Sequence, residues 1–200
     1  EYSKVFLSNV KKVIEKENQM KNSEKELPLS RKVALTLFRA MRYKDEYEVA
    51  RLHTSGDFAQ TFLNENKNAK LEYYLAPPLF SKKDPDTGHL LKRRFGHSVY
   101  KIFKILSYFK FLRGTKLDIF GYTSERKKER ALAKKTITTI NKISEILNDN
   151  NYKKITEFLD IPLSIKGYGH VKEKNIKIAE EKWDKCFDKI QSNQNLKKVS

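Results

Sequence analysis

Apolar side chains recur along most of the chain at intervals of three and four residues, which is the spacing of one helix face. This pattern predicts helices over about 3–17, 30–41, 43–52, 97–112, 123–147 and 152–159, followed by a long last helix with apolar positions from Val171 to Ile190. A further short helix over about 57–64 would bury Phe58, Phe62 and Leu63. The sequence therefore indicates a predominantly helical protein.

Polar residues at helix starts support these boundaries. Ser30 is predicted to cap the helix through Met41, and Thr123 or Ser124 to cap the helix that starts there. Asp45 followed three residues later by Glu48 resembles a capping box, which starts a new helix. In the helix from about His97, the predicted core positions are Val99, Phe103, Leu106 and Phe109, with Ile102 alongside.

The segment 70–96 breaks the helical pattern. KLEYYL (70–75) alternates apolar and polar side chains as a strand does, and Pro77 and Pro78 end it. The sequence DPDTG (84–88) favours a turn, after which HLLKRRF returns as a second strand or as an ordered loop. The predicted fold class is mainly α, with a small irregular or β-hairpin insert around 70–96. The predicted organisation is an N-terminal helix and polar linker (1–29), a helical domain (30–192) and a disordered tail (193–200).

The positive charge of the chain is concentrated in its middle. The net charge is +17, and residues 81–135 supply +11 of it, with sixteen Lys or Arg against five Asp or Glu. Two interpretations stay open. One is a surface that binds polyanions, and the other is a set of solvated lysines on helix faces. All nine arginines lie between Arg31 and Arg130, which favours pairing roles for them, because the guanidinium is a planar fork.

Composition excludes several classes of site within this chain. Cys186 is the only cysteine, so no intramolecular disulfide forms, and the four histidines (His53, His89, His97, His170) are scattered. Cluster-binding and structural zinc sites need several thiolate or imidazole ligands. Apolar runs are too short to cross a bilayer and no signal peptide opens the sequence, so we expect a cytoplasmic protein. No P-loop, GxSxG, HExxH or Cys–His nucleophile signature occurs.

Two groups of charged residues are candidates for sites. The first is a set of contacts to an anion or a partner: Lys92, Arg93, Arg94, His97, Arg126 and His170. A phosphate at the start of a helix would suit the group around His97. The alternative is that the arginines pair with internal acids such as Asp84, Asp86 or the carboxylates of YKDEYE. His170 follows a lone GxG, which is a weak phosphate-loop signal.

The second group is acidic and consists of Asp45, Glu46 and Glu48. General acid–base chemistry is one interpretation of such a cluster. These positions do not all share one helix face, however, and no metal-ligand pattern accompanies them. We therefore predict a structural role for them in capping and salt bridging.

Four segments, taken together, resemble the C-terminal region of indolepyruvate ferredoxin oxidoreductases, in the bacterial form that joins several functional domains in one polypeptide. They occur in the family's order and cover roughly 140 residues. The segments are ALTLFRAMRYKDEYEVARL (34–52), LEYYLAPPLFSKKDPDTGHLLKRRFG (71–96), LRGTKLDIFGYTSERKKERAL (112–132) and IKGYGHVKEKN (165–175).

The resemblance implies a parent enzyme that uses thiamine diphosphate, Mg²⁺ and [4Fe–4S] clusters. Such an enzyme oxidises a 2-oxo acid to its acyl-CoA and reduces ferredoxin. This chain carries neither the thiamine-diphosphate motif nor a set of cluster cysteines, so it is expected to be inactive alone and no catalytic residue is transferred. A start at Glu1 rather than Met agrees with a C-terminal piece. Implied partners are the upstream catalytic domains, a second copy and ferredoxin. The alternative from another class is a basic helical module that binds nucleic acid.

Overall fold

The computed structural model describes residues 2–20, 26–42, 45–55, 61–62, 64–66, 72–77, 81–82, 84–85, 90–167 and 169–198. The helices are α1 (Tyr2–Asn18), α2 (Pro28–Met41), α3 (Glu46–Thr54), α4 (Ser98–Tyr108), α5 (Ser124–Ile146), α6 (Tyr152–Phe158), α7 (Asp160–Leu163) and α8 (Gly169–Lys198). Two 3₁₀ turns span Phe109–Leu112 and Phe120–Tyr122, and two short strands are β1 (Tyr73–Leu75) and β2 (Arg93–Phe95). The predicted fold class, mainly α with a β-hairpin insert, is confirmed.

The chain divides into two compact units. Unit 1 comprises Glu1–Tyr43 and Lys128–Ser200, and unit 2 comprises Lys44–Lys127. Among the residues with a described structure, no helix is both long enough and apolar enough to cross a membrane.

Unit 1 is built around a core of aliphatic and aromatic side chains from its long helices. The indole of Trp183 is 1% exposed and meets the ring of Phe158 edge to face, with ring centroids 5.9 Å apart. Burying large rings in this arrangement is favourable beyond the area removed from water. The apolar faces predicted for the first, second and last helices supply much of this core: Val13, Val33, Leu37, Met41, Ala179, Trp183, Phe187 and Ile190.

The start of α2 differs from the prediction. The helix begins at Pro28, with Leu27 in the N-cap position and no side-chain cap, so Ser30 lies inside the first turn. Proline suits the first helical position because its ring fixes φ and its missing N–H has no helical partner there. Leu27 has a φ of 47°, a left-handed conformation that a leucine seldom adopts. The prediction of Ser30 as the cap was wrong, because Pro28 sets the boundary.

Glu17 takes the place of the missing cap. Its carboxylate is fully buried in unit 1 and accepts hydrogen bonds from the N–H groups of Leu29 (3.0 Å) and Ser30 (2.8 Å). It also accepts from the hydroxyls of Ser30 (2.6 Å) and Tyr152 (2.6 Å). A carboxylate from α1 therefore satisfies the open N–H groups of α2, which ties the two helices together.

Unit 2 has a smaller core, in which α3 and α4 pack together beside the hairpin. The strands are antiparallel, and Tyr73, Tyr74 and Leu75 pair with Phe95, Arg94 and Arg93. The buried core members are Ala50, Tyr73, Val99 and Phe103. The imidazole of His53 stacks on the ring of Phe103 at 5.3 Å and meets the ring of Tyr73 edge to face at 5.5 Å. This aromatic group connects α3, β1 and α4.

Some predictions fall wholly or partly outside the described residues. Of the short helix over 57–64, Phe58 and Leu63 lie outside them, as do Pro78 and most of the DPDTG turn. His89 also lies outside them.

The core face of α4 was predicted only in part. Val99 and Phe103 are buried and Leu106 is half-buried, as the spacing indicates. Ile102 and Phe109, which share that spacing, are instead 59% and 42% exposed. The helix carries apolar side chains on two adjacent stripes, and unit 2 covers one of them.

Candidate functional site

The acidic turn at the start of α3 is organised by Asp45. Its Oδ1 accepts a hydrogen bond from the N–H of Glu48 at 2.8 Å, which caps the helix. The same carboxylate binds the guanidinium of Arg113, which donates through Nη2 to Oδ1 at 2.8 Å and through Nε to Oδ2. Only 5% of the Asp45 side chain is exposed. The predicted cap is confirmed, and its carboxylate is also half of an ion pair.

Glu48 is held by an arginine of its own helix. Nε of Arg51 donates to Oε2 of Glu48 at 3.0 Å, and Nη2 donates to Oε1 at 2.7 Å. This two-pronged hydrogen bond lowers the pKa of Glu48 below its usual value, and the same contact raises the pKa of Arg51. Glu48 is therefore held in its charged form as part of the ion pair.

Glu46 has the least ordinary environment of the three carboxylates. Its Oε2 lies 3.7 Å from Nε of Arg126, and within the described structure both buried atoms lack a hydrogen-bond partner. Burial raises the pKa of Glu46, and the positive charge of Arg126 opposes that rise without cancelling it. The pair is close enough for attraction and too far apart for a hydrogen bond.

Tyr47 and Asp118 complete this corner of unit 2. The ring of Tyr47 is buried edge to face against Phe120, with centroids 5.3 Å apart. Burial raises the pKa of the Tyr47 hydroxyl, and the neighbouring Asp118 adds to the rise. Asp118 accepts hydrogen bonds from the N–H groups of Gly114 (2.9 Å) and Gly121 (3.0 Å). All of these contacts order the loop before α5.

The acidic cluster therefore forms an ion-pair network. Asp45, Glu46 and Glu48 each face an arginine, and these arginines are Arg113, Arg126 and Arg51 respectively. Arg113 was predicted only to end a helix, and its pairing was missed. A contact between residues 68 positions apart leaves no local pattern in a sequence.

Of the basic residues near β2 that were predicted to contact an anion or a partner, Arg94 forms an ion pair. Nη2 of Arg94 lies 2.7 Å from Oε1 of Glu72, so this arginine pairs with an acid beside β1. Lys92 and Arg93 are exposed, and neither has an ion-pair partner in the described part of the chain. The structure does not bring Arg126 together with them.

The histidine candidates also lie apart. His97 occupies the N-cap position of α4 and makes no side-chain cap; its ring stacks on Tyr100, with centroids 6.0 Å apart. His170 lies in the first turn of α8, and its side chain is outside the described structure.

Unit 1 contains a buried ion pair that the sequence did not indicate. The ammonium of Lys172 donates to Oε2 of Glu129, and the two side chains are 7% and 5% exposed. Each charge compensates the other inside the protein. Removing either one would leave a single buried charge, which costs several kcal/mol. The pair fixes α8 against α5.

An exposed apolar surface of unit 2 lies along α4 and the 3₁₀ turn that follows it. Its apolar members are Ile102, Ile105, Tyr108, Phe109 and Phe111, and its cations are Lys101, Lys104 and Lys110. We call this set the α4 face. The exposure of Ile105, Tyr108 and Phe111 is 60%, 69% and 70%. An apolar surface of this kind is typical of an interaction site.

Two open grooves border the α4 face. One, of about 590 Å³, is lined by His97, Tyr100, Lys101, Lys104, Ile105 and Tyr108. The other, of about 510 Å³, lies between α3 and α4, where Arg51, Lys104 and Lys110 contribute its positive charge. Among the described residues that line either groove there is no carboxylate. The face is therefore both apolar and positively charged.

Comparison with known proteins identifies a family for this chain. No curated protein and no solved structure matches the chain. A family model, described as a family of unknown function (DUF6537), matches residues 1–185. The chain belongs to this DUF6537 family.

Proposed function

We propose that this chain is the C-terminal, non-catalytic domain of a thiamine-diphosphate-dependent indolepyruvate ferredoxin oxidoreductase. The parent reaction is the oxidative decarboxylation of an aryl or related 2-oxo acid to its acyl-CoA, with electrons passed to ferredoxin. The role of this domain is to pack against the catalytic domains of the same polypeptide or of a second subunit.

The observation that carries the proposal is where the buried ion pairs lie. Among the described residues, the most buried pairs each connect two of the segments that resemble the oxidoreductase family. Asp45–Arg113 and Glu46–Arg126 join 34–52 to 112–132, and Glu129–Lys172 joins 112–132 to 165–175. The residues that carry the resemblance are thus the ones that hold the segments together. This supports the interpretation of the segments as a structural signature of one domain.

Ion pairs outside those segments are different. Lys32–Asp160 and Lys135–Asp184 lie on the surface of unit 1, with carboxylates that are 62% and 67% exposed. Exposed pairs of this kind contribute little to stability. Lys128–Glu173 also joins 112–132 to 165–175 and is exposed, at 51% and 58%, so the support for a structural role comes from the three buried pairs and not from every ion pair of these segments.

The cysteine content of this chain does not suit an iron–sulfur cluster. A [4Fe–4S] cluster takes four thiolates, whereas Cys186 is the only cysteine and it is exposed. No group of three or more His, Cys, Asp or Glu side chains suited to a metal ion occurs in the described part of the structure. In this proposal, thiamine diphosphate, Mg²⁺ and the clusters belong to other domains of a cytoplasmic enzyme.

The proposal is tested by separating the domain from its parent. The oxidoreductase polypeptide is produced without the residues of this chain, and the chain is then added as a separate protein. We expect the two to co-elute in size-exclusion chromatography, and the added chain to restore thermal stability and 2-oxo acid-dependent ferredoxin reduction. A truncated enzyme with full activity and stability, and no association with the chain, would contradict the proposal.

A further inference from the structure

We propose that the α4 face is a docking surface for a protein that presents apolar side chains bordered by carboxylates. This inference concerns unit 2 alone and does not depend on the activity of the parent protein. It assigns a surface and a partner chemistry to residues that are exposed in the described structure.

The apolar part of the face is continuous. Ile102, Ile105 and Phe109 follow one another at spacings of three and four, so they share a stripe of α4 and its 3₁₀ extension. The ring of Phe111 lies 6.0 Å from that of Phe109, and Tyr108 lines the same groove as Ile105. Single exposed apolar residues are common on protein surfaces, but a connected set is not.

The adjacent stripe of α4 is already buried in unit 2. Val99 and Phe103 belong to the buried core of unit 2 together with Tyr73, and Leu106 packs against them. The helix therefore has one apolar stripe that stabilises the unit and a second that faces outward. The second stripe is exposed in the described structure and would gain burial from another molecule, since apolar area contributes about 25 cal/mol per Å² when it leaves water.

The charge of the face selects an acidic partner. Lys101, Lys104 and Lys110 are exposed, and none of them has an ion-pair partner among the residues that the structure describes. In the groove between α3 and α4, the guanidinium of Arg51 is bound to Glu48, and Lys104 and Lys110 add positive charge that makes no ion pair within the described residues. Carboxylates around an apolar centre would complement this arrangement and speed association.

Two other occupants fit the face less well. A second copy docked by two-fold symmetry would set the same patch against itself and bring the three lysines of each copy together. Single-stranded nucleic acid would match the lysines and the rings of Tyr108 and Phe111, but it stacks on aromatic platforms. Ile102 and Ile105 at the centre provide no such platform, and they favour an apolar protein surface.

The test uses the full chain and labelled helical peptides of about 18 residues, long enough to form a helix in a groove. One peptide has a leucine stripe flanked by glutamates, a second replaces the glutamates by lysines, and a third keeps the glutamates and replaces the leucines by serines. Binding is followed by fluorescence anisotropy at low and high salt. We expect the Glu/Leu peptide to bind with a Kd of about 10 μM and the other two at least about tenfold more weakly.

Matched variants locate the binding. Ile105→Ser and Lys104→Glu on the α4 face should each weaken binding of the Glu/Leu peptide by about tenfold or more. Ile178→Ser and Lys142→Glu make the same chemical changes at exposed positions of unit 1 and should leave binding unchanged. All four positions are exposed, so the variants should keep the circular dichroism spectrum and Tm of the parent chain.

Any one of four peptide-binding results would overturn the proposal. They are absence of Glu/Leu binding at low salt, equal binding of the Lys/Leu peptide, displacement of the bound peptide by a thymidine oligonucleotide of similar length, or loss of Glu/Leu binding in the control variants as much as in the face variants. Dimerisation of the chain that Ile105→Ser abolishes would also overturn it, because the occupant would then be a second copy.

Discussion

Asp45 and Arg113 stand 68 residues apart in the chain and form a two-pronged ion pair in which Oδ1 of Asp45 also caps α3. One carboxylate thus fixes the start of a helix and the loop that follows α4. Because 5% of the aspartate and 40% of the arginine side chain is exposed, the pair is anchored at its acidic end and partly hydrated at its basic end.

Replacing Asp45 should separate its two roles. Asp45→Asn keeps a good capping residue and removes the charge, whereas Asp45→Ala removes both. We expect the free energy of unfolding to fall by about 2 kcal/mol in the first variant and about 3 kcal/mol in the second, measured by urea titration. Asp149→Asn, at an exposed position, should change it by less than about 0.5 kcal/mol. Equal losses for Asn and Ala would show that the cap contributes nothing.

The buried carboxylate of Glu17 should be sensitive to loss of charge alone. All the described partners of the Glu17 carboxylate are hydrogen-bond donors. Glu17→Gln would place an amide N–H₂, itself a donor, among them, so at least one donor would be left without an acceptor. We expect a loss of about 3 kcal/mol in unfolding free energy, against about 1 kcal/mol for Tyr152→Phe, which removes one hydroxyl donor. The same urea titration measures both. A Glu17→Gln variant as stable as Tyr152→Phe would contradict this account of the site.

The pair of Lys172 and Glu129 should behave as a unit. Lys172→Met leaves a buried carboxylate without its cation, so we expect a loss of about 3 to 5 kcal/mol in unfolding free energy. Glu129→Leu should cost a similar amount, while the double variant should lie closer to the original protein than either single one. A double-mutant cycle measures this coupling, and strictly additive effects would contradict a direct interaction between the two side chains.

Glu46 and Glu48 should give opposite pH dependences. The pKa of Glu46 is raised in the folded state by burial, so the native protein holds a proton that the unfolded chain has released. The stability of the protein relative to Glu46→Gln should therefore fall as the pH rises from 4.5 through the folded pKa. The pKa of Glu48 is lowered by its hydrogen bonds to Arg51, so the stability relative to Glu48→Gln should be complete above pH 4.5 and lost as the pH falls through the folded pKa.

Urea titrations of the three proteins between about pH 3 and pH 7 measure these differences. The two curves should slope in opposite directions. Parallel curves would show that the two carboxylates share one environment and would contradict the network as described.

Much of the fold follows from local signals in the sequence. The helix faces of unit 1, from Val13 to Trp183, follow from apolar spacing because one long core receives one stripe from each helix. The cap at Asp45 is local too, since donor and acceptor lie three residues apart. Pro28 is also a local signal for a helix start. Ser30, two residues later, suggested a side-chain cap, but the acceptor for the open N–H groups is Glu17 of another helix.

The remaining features depend on contacts across the chain. Spacing on α4 gives two apolar stripes, and only the position of Tyr73 and Ala50 decides that Val99 and Phe103 face the core. The pairing of Asp45, Glu46 and Glu129 with cations 43 to 80 residues away follows from tertiary structure alone. The charge composition predicts that the middle of the chain is basic. It does not predict that exposed aliphatic side chains lie beside the lysines of this region.

We propose that the chain belongs to an indolepyruvate ferredoxin oxidoreductase, and this is tested by the activity of a full-length oxidoreductase polypeptide that contains it. Purified without oxygen, that polypeptide should carry thiamine diphosphate and iron–sulfur clusters, and should reduce ferredoxin when given indolepyruvate and CoA. Ferredoxin reduction should require both the 2-oxo acid and CoA. A full-length polypeptide that contains neither cofactor and oxidises no 2-oxo acid would contradict it.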